Sequence, residues 1–301
     1  MEYFKLKKTA SKKESGLLLK DYLTELGISK RMLTDIKFRG GDLLINGDHV
    51  TVRYELKEGD TLTVLFPEEK VSEGLKATPV PLRILYEDEH VLVLNKQPNI
   101  SSIPSREHPH VSIANGLLFH YEQQSLQATV HLVNRLDRDT SGVMLVAKHR
   151  FAHSLLSKAQ KKGEVKRSYR AFTHGIFLDE KGTIDAPIAR KSDSIIERMV
   201  AKDGQRAITH YEVQSVDIAN EISDVSLILE TGRTHQIRVH MQFAGHPLIG
   251  DTLYGGTREL IDRQALHSET LVFRHPMTDE YMTFTAPLPV DMQSLLPFTS
   301  N

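Results

Sequence analysis

The sequence contains no cysteine among its 301 residues. This absence excludes disulfides and thiolate metal sites, and it fits a reducing compartment. No apolar run approaches the roughly 20 residues that a membrane-spanning helix needs. The N-terminus is basic but lacks the apolar block of a secretory signal. Together these absences predict a cytoplasmic protein with no membrane partner.

Several motifs of cofactor chemistry are also missing. There is no Walker loop and no dinucleotide-binding fingerprint. His235, His240 and His246 lie close together, but spacings of five and six residues do not match the usual zinc patterns. We therefore expect hydrogen-bonded or RNA-facing histidines, no metal and no cofactor.

The charge balance is neutral overall but uneven along the chain. Net charge is −1, yet residues 1–40 contain ten Lys/Arg against five Asp/Glu. Residues 148–170 contain eight Lys/Arg against Glu164 alone. Two basic tracts on a neutral protein indicate two contact surfaces for a phosphate backbone. The alternative is that both tracts are ordinary solvated faces.

The length predicts about two domains, of which residues 1–68 form the smaller. Apolar residues from Leu17 to Leu26 recur at helical spacing, and Ser29 can cap a second helix. Asn46-Gly47 then gives a strong hairpin signal. This helix–helix–hairpin order resembles the RNA-binding domain first seen in ribosomal small-subunit protein four, although Leu19-Lys20-Asp21 departs from that family's Arg-Leu-Asp opening. The resemblance implies RNA binding by exposed basic residues of the second helix, namely Lys30, Arg31 and Lys37.

Residues 69–81 are charged and interrupted by Pro and Gly, which predicts a linker. Beyond them, residues 82–301 carry recurrent strand signals with helical stretches between. Because strands and helices do not alternate regularly, we predict one α+β catalytic domain with a mixed, mainly antiparallel sheet.

A carboxylate stands out in the stretch HLVNRLDRDTSGVMLVAK. Asp137 lies between Arg135 and Arg138, and Leu136 would anchor the loop in the core. This arrangement would hold Asp137 at a fixed place, in a structural or a chemical role. The following segment, Asp139-Thr140-Ser141, is typical of a turn whose side chains bond to backbone.

Two further segments carry candidate site residues. In VSLILETGRTHQIRVHMQFAG, a strand leads through Arg233 into a helix for which Thr234 is the predicted N-cap. In VKRSYRAFTHG, Tyr169 lies on a strand that ends the second basic tract. It is either a half-buried core residue or a platform on which an unpaired base stacks.

These motifs and four shorter ones, in this order, resemble the RluA-type pseudouridine synthases over about residues 80–290. The resemblance implies that Asp137 is the catalytic aspartate and Arg233 its ion-pair partner. The ring of Tyr169 would stack on the target uracil and is a candidate base for the proton at carbon 5. We assign RNA binding in this region to Arg135, which would probe the vacated stack, and to Lys96 and Arg167.

Four positions depart from the family pattern. Asn134 replaces His, Arg167 replaces Lys, Gln97 replaces Pro and Asn99 replaces Gly. None of these is Asp137, Tyr169 or Arg233, so we expect the departures to affect which RNA is recognised.

The resemblance implies isomerisation of uridine to pseudouridine in structured RNA. We expect large-subunit ribosomal RNA as the substrate, with transfer RNA as the alternative, and a monomeric enzyme. An ionised carboxylate suits the cleavage of a glycosidic bond and its rejoining at carbon 5. One alternative is a catalytically silent RNA-binding or ribosome-assembly factor on the same fold. Another is a glycoside hydrolase that uses Asp137 and Asp139 as paired carboxylates.

Overall fold

The computed structural model of the chain describes residues 4–296, so the predicted domain ends at residues 1 and 301 lie outside the described residues. Its helices are α1 (Leu19–Glu25), α2 (Lys30–Phe38), α3 (Ile113–Gln123), α4 (Arg150–Lys161), α5 (Gln236–Phe243) and α6 (Val290–Gln293). A short 3-10 helix spans Thr252–Tyr254. The predicted α+β class with mainly antiparallel sheets is confirmed.

The strands fall into three sheets. They are β1 (Lys5–Thr9), β2 (Asp42–Ile45), β3 (Asp48–His49), β4 (Thr61–Leu65), β5 (Ile84–Glu87), β6 (Val91–Lys96), β7 (His131–Leu132), β8 (Ser141–Ala147), β9 (Lys166–His174), β10 (Lys181–Asp185), β11 (Ile188–Arg190), β12 (Arg198–Val200), β13 (Ile208–Asp217), β14 (Ile222–Leu229), β15 (Leu266–Arg274) and β16 (Tyr281–Thr285).

The first four strands form an antiparallel sheet in the order β1-β4-β2-β3, against which α1 and α2 pack. Ser29 caps α2 as predicted, because its hydroxyl accepts a hydrogen bond from the Met32 backbone at 3.2 Å. Asn46 and Gly47 both have positive φ and make the predicted hairpin turn between β2 and β3. Helix α1 begins at Leu19, two residues later than the apolar pattern, since Leu18 is extended.

The largest sheet has ten strands, with the central order β10-β13-β14-β9-β15-β8-β6-β5. Its single parallel pairing among the described residues joins β8 to β15, where Ser141 lies opposite His267 and Gly142 opposite Ser268. Gly142 has φ +114°, and a Cβ there would lie 2.1 Å from the Ser268 carbonyl oxygen. Only glycine fits where these two strands meet.

Strand β8 lies between two apolar cores because its side chains alternate in direction. Met144 and Val146 face a core that includes residues of α3 and α5. Val143 and Leu145 face a second core that includes Ala152 and Leu156 of α4. The sheet is therefore covered on both faces, which explains why every residue of β8 is buried.

The N-terminal sheet and its helices contact α4. Phe151 is part of their apolar core, and Arg150 forms an ion pair with Asp35 of α2 at 2.7 Å. The predicted linker contains no helix or strand, but Glu69 accepts a hydrogen bond from the Arg150 backbone at 2.7 Å and also pairs with His131. Within residues 4–296, no helix has the length and apolar character needed to cross a membrane.

Candidate active site

A small open pocket of about 60 Å³ lies where the loop before β8, strand β9, the turn into α5 and strand β15 meet. Its lining residues are Arg135, Leu136, Asp137, Thr140, Tyr169, Leu229, Arg233, His235, Gln236, Ile237, Arg238 and Leu266. Asp137, Tyr169, Arg233 and Arg135 were all predicted from the sequence as site residues, and the fold brings the four together.

The loop that carries Asp137 is held at the preceding residue. Leu136 is buried, and both its backbone N–H and its carbonyl bond to the Ser102 hydroxyl, at 3.1 and 2.6 Å. The Thr140 backbone N–H then closes a turn on the Asp137 carbonyl at 3.2 Å. The Asp137 side chain, 28% exposed, therefore projects from a fixed backbone into the pocket.

Arg238 is the ion-pair partner of Asp137. Its Nη1 lies 3.2 Å from Asp137 Oδ2, while its Nε and Nη2 bind both oxygens of buried Asp251 at 2.6 and 2.7 Å. Burial opposes the charge on Arg238, but hydrogen bonds and the charge of Asp251, together with Asp137, raise its pKa above the ordinary value. Asp251 thus fixes the guanidinium that Asp137 contacts.

The predicted ion pair between Asp137 and Arg233 is wrong for this structure. Arg233 is exposed at the pocket rim, and its Nε donates to the Arg206 carbonyl at 3.0 Å. The predicted N-cap, Thr234, is also wrong, because His235 is the N-cap and has φ +58°. Helix α5 therefore starts at Gln236. Arg238 precedes buried Met241 by about one helical turn, so both side chains face the core. Its spacing to Met241 was the sequence signal that could have identified it.

Tyr169 is a core residue that also lines the pocket, and the stacking of a base on its ring stays a prediction. It is only 4% exposed and belongs to the core on the α3–α5 face of the sheet, yet its side chain also lines the pocket. Its neighbours across the sheet are Leu227 of β14 and Ser268 of β15. The phenol ring is therefore held as a wall of the site beside Asp137.

The prediction that Lys96 binds RNA is wrong. Its side chain is buried, with the residue 1% exposed, and Nζ donates to the carbonyls of Gln97, Ile100 and Arg138 at 2.8–2.9 Å. Burial lowers the pKa of Lys96 to about 7, although Asp139 and Asp137 nearby oppose this shift. An enclosed ammonium with three carbonyl partners cannot reach a phosphate, so Lys96 instead ties two loops together beside the site.

The other predicted RNA-binding residues are accessible. Arg135 is exposed at the pocket, and Lys30, Arg31 and Lys37 are exposed on α2. Arg167 is half-buried, and its Nη2 would be 3.3 Å from a Cβ at Gly232, beside the turn that holds Arg233. Their contact with RNA stays a prediction.

Two of the departures from the family pattern have a structural explanation. Asn134 is buried, and its Oδ1 accepts a hydrogen bond from the Leu145 backbone at 2.7 Å, so it fastens the loop to β8 rather than facing RNA. Asn99 has φ +65°, a conformation that asparagine tolerates better than most residues other than glycine. Asparagine can therefore replace the family's glycine there.

The side chains of the predicted turn after Asp137 were expected to bond to the backbone, but they bond to other side chains instead. Thr140 and Ser141 bond to the side chains of Gln264 and His267, and buried Asp139 Oδ1 has no hydrogen-bond partner among the described residues. Asp139 does not line the pocket, so the paired carboxylates of a glycoside hydrolase are not assembled here.

The histidines of the α5 region serve separate structural contacts. His240 bonds to Thr209 and the Ala186 carbonyl, and His267 bonds to Ser141 and the Ala286 carbonyl. His246 lies 3.1 Å from the His174 carbonyl. His235 is different, because it lines the pocket, with Nε2 at 3.8 Å from Asp137 Oδ2. From the sequence we expected a hydrogen-bonded or RNA-facing histidine here and did not place His235 beside Asp137.

Comparison with known proteins identifies relatives of this chain. A family model described as RNA pseudouridylate synthase matches residues 90–243. The chain is 67% identical over 280 residues to the uncharacterized RNA pseudouridine synthase YjbO of Bacillus subtilis, covering 93% of this chain and 98% of that protein. It is 40% identical over 267 residues to the ribosomal large subunit pseudouridine synthase D of Vibrio cholerae, covering 84% and 81%. The structure of human RNA pseudouridylate synthase domain containing 1 superposes with a TM-score of 0.57 at 25% identity, covering 70% of this chain and 85% of the human chain.

Proposed function

Because the chain belongs to the RNA pseudouridylate synthase family, we propose that it isomerises specific uridines of large-subunit ribosomal RNA with Asp137 as the catalytic carboxylate. Isomerisation of uridine in RNA follows from the family itself. The choice of large-subunit RNA is supported by relatives such as the Vibrio cholerae protein, which carries that substrate in its name. Transfer RNA is the alternative substrate.

One observation carries the assignment of Asp137. It is the only carboxylate that lines the pocket within residues 4–296, and Arg238 places a positive charge 3.2 Å from it. An ionised carboxylate can attack the anomeric carbon of the ribose or support the positive charge that develops there.

The remaining steps need no second carboxylate, because uracil stays in the pocket and returns as the nucleophile. The bond from the anomeric carbon to uracil N1 breaks, and a new bond forms to carbon 5. Carbon 5 then loses its proton and N1 gains one. Tyr169 supplies a buried ring on which uracil stacks, and its hydroxyl is the candidate base for the carbon 5 proton.

The target uridine must leave its stack to reach this pocket, at a cost of a few kcal/mol, which is least in loops and bulges. Arg135 lies exposed at the rim, where it can occupy the space that the uridine vacates. The basic tracts would supply the compensating binding energy. The two basic tracts lie next to each other, because α2 of the first tract and α4 of the second are linked by the Asp35–Arg150 ion pair.

The catalytic assignment is tested with RNA from cells that lack the gene, grown in uridine tritiated at carbon 5. Wild-type enzyme should release tritium, and Asp137→Asn should reduce release by about 10⁴-fold or more with RNA binding retained. Asp139→Asn is the matched control and should stay near wild type. Comparable activity of the two variants would refute the role of Asp137, and pseudouridine mapping that finds the missing modification in transfer RNA would refute the ribosomal substrate.

The binding surface is tested by the salt dependence of RNA affinity. Replacing exposed Lys158, Lys161 and Lys162 by Gln should weaken binding and flatten the slope of log affinity against log salt by about 0.7 for each phosphate that is no longer neutralised. Lys181→Gln, on exposed edge strand β10, is the control. A wild-type affinity that does not change with salt would rule out phosphate contacts as the main source of binding.

A further inference from the structure

His235 lies between the pocket carboxylate and a tyrosine of the 3-10 helix. Its Nε2 is 3.8 Å from Asp137 Oδ2, and its Nδ1 is 2.8 Å from the hydroxyl of buried Tyr254. The backbone of His235 has φ +58°, a left-handed conformation that few residues other than glycine adopt. The backbone of the turn into α5 is therefore strained at His235, the residue whose ring faces Asp137.

The hydrogen bonds around Tyr254 favour one of the two ring nitrogens of His235 as the proton carrier. The Tyr254 oxygen accepts a hydrogen bond from the Arg198 backbone N–H at 2.9 Å. Its single proton can then be donated to His235 Nδ1, and in that arrangement Nδ1 is the acceptor. A neutral imidazole whose Nδ1 accepts must hold its proton on Nε2, the nitrogen that faces Asp137.

We propose, resting on the function assigned to Asp137, that His235 is a positioning residue that presents its Nε2–H to this carboxylate and is held in that neutral tautomer by Tyr254. The 3.8 Å separation exceeds a normal hydrogen bond of about 2.9 Å, so a movement of about 1 Å completes the contact. The donor then orients the carboxylate, and it stabilises the charge that returns when Asp137 leaves the anomeric carbon.

The neutral state of His235 follows from its surroundings. An imidazolium would also donate from Nδ1, which would leave the Tyr254 proton without its acceptor. Burial lowers the pKa of His235 first, Asp137 and Asp251 oppose that shift, and the charges of Arg238 and Arg198 lower the pKa further.

Neutrality matters for the chemistry because Asp137 already has one cationic partner. A second cation 3.8 Å away would repel the positive charge that develops at the anomeric carbon. A neutral N–H donor orients the carboxylate without this opposition. Removing the Tyr254 hydroxyl should therefore impair the enzyme most at acid pH, where the released imidazole takes up a proton.

The tautomer is tested without RNA by long-range ¹H–¹⁵N NMR of the full chain. Wild type should give a His235 signal with Nδ1 unprotonated and Nε2 protonated, and Tyr254→Phe should give mixed tautomers. Tyr86→Phe is the matched control, since Tyr86 also donates its hydroxyl proton to a partner, Asp88, at 2.9 Å. An Nδ1-protonated ring in wild type, or an unchanged signal in Tyr254→Phe, would overturn the proposal.

The role in turnover is tested by the pH profile of kcat/KM on the same tritiated RNA. Tyr254→Phe should lose activity at acid pH through a His235 ionisation at higher pH than in wild type, because losing the hydroxyl donor to Nδ1 raises the pKa of the imidazole relative to wild type. His235→Ala should lower kcat by about tenfold or more at every pH, whereas His235→Gln, which keeps an N–H donor, should recover most of the loss.

Both substitutions at His235 carry the same backbone strain, so they differ mainly in the donor. Equal activity of the Ala and Gln variants, or a Tyr254→Phe profile that matches wild type, would refute the positioning role. Absence of tritium release from wild type would instead refute the proposed function, and the NMR tautomer would still decide the state of His235.

Discussion

The side chains around Asp137 divide into those that were predicted from the sequence and two, Arg238 and His235, whose positions were missed. Asp137 was predictable because apolar Leu136 and strand β8 fix its loop from both sides. Its partner Arg238 was missed although its spacing to Met241 was a signal, because the start of α5 depends on His235 in a left-handed conformation, which the residue type does not predict. The contact between Arg238 and Asp251 depends on tertiary packing as well.

The two arginines can be separated by substitution. Arg238→Met should leave Asp251 buried without its partner and destabilise the fold by about 3–5 kcal/mol, with a large fall in kcat. Arg233→Met should keep wild-type stability and affect mainly KM, because Arg233 is exposed at the rim. Urea unfolding and tritium-release kinetics measure both effects. A larger loss of kcat in Arg233→Met than in Arg238→Met would restore Arg233 as the partner.

At the scale of elements, the long buried strands and the amphipathic helices were predictable from pattern alone. Strand β1 was not, because KLKKT has little apolar alternation and owes its pairing to β4. The short strands β11 and β12 were also missed, since three residues are too few for a periodic signal. The order of strands in the sheet could not be predicted either, because β8 and β15 are far apart in the sequence and no local motif indicates that they pair.

Lys96 shows how one side chain connects elements. Lys96→Met should leave three carbonyls without their donor, destabilise the fold by about 2–4 kcal/mol and lower kcat by loosening the Asp137 loop. RNA affinity should be little changed, because the ammonium is enclosed. Lys181→Met, at an exposed position, is the control for urea unfolding. Normal stability with weakened RNA binding would reinstate Lys96 as an RNA contact.

At the scale of the whole molecule, a group of rings lies where the N-terminal sheet meets the catalytic part of the chain. Phe4 stacks on His149 with ring centroids 3.6 Å apart. His149 also caps α4, since its Nδ1 accepts from the Ala152 backbone, and its Nε2 lies 3.1 Å from His90. Burial, followed by the neighbouring His90 and His131, lowers the pKa of His149 to about 3.

This histidine predicts acid sensitivity. Its pKa is lower in the folded state, so the unfolded chain takes up the proton first and stability falls as the pH drops from about 6.5 toward 3. His149→Asn keeps a capping side chain but does not titrate. Between pH 7 and pH 4, wild type should lose about 3 kcal/mol more than this variant in urea unfolding. Parallel curves for the two proteins would contradict the prediction.

The parallel pairing of β8 with β15 also orders events during synthesis. Ser141 and His267 are 126 residues apart, and Leu266 at the start of β15 forms part of the pocket wall. A ribosome adds about 5–20 residues per second, so the loop that bears Asp137 waits on the order of ten seconds for its far wall. The nascent chain therefore exposes its catalytic loop well before it has an enclosed site, and competence for catalysis arrives only after β15 has been synthesised.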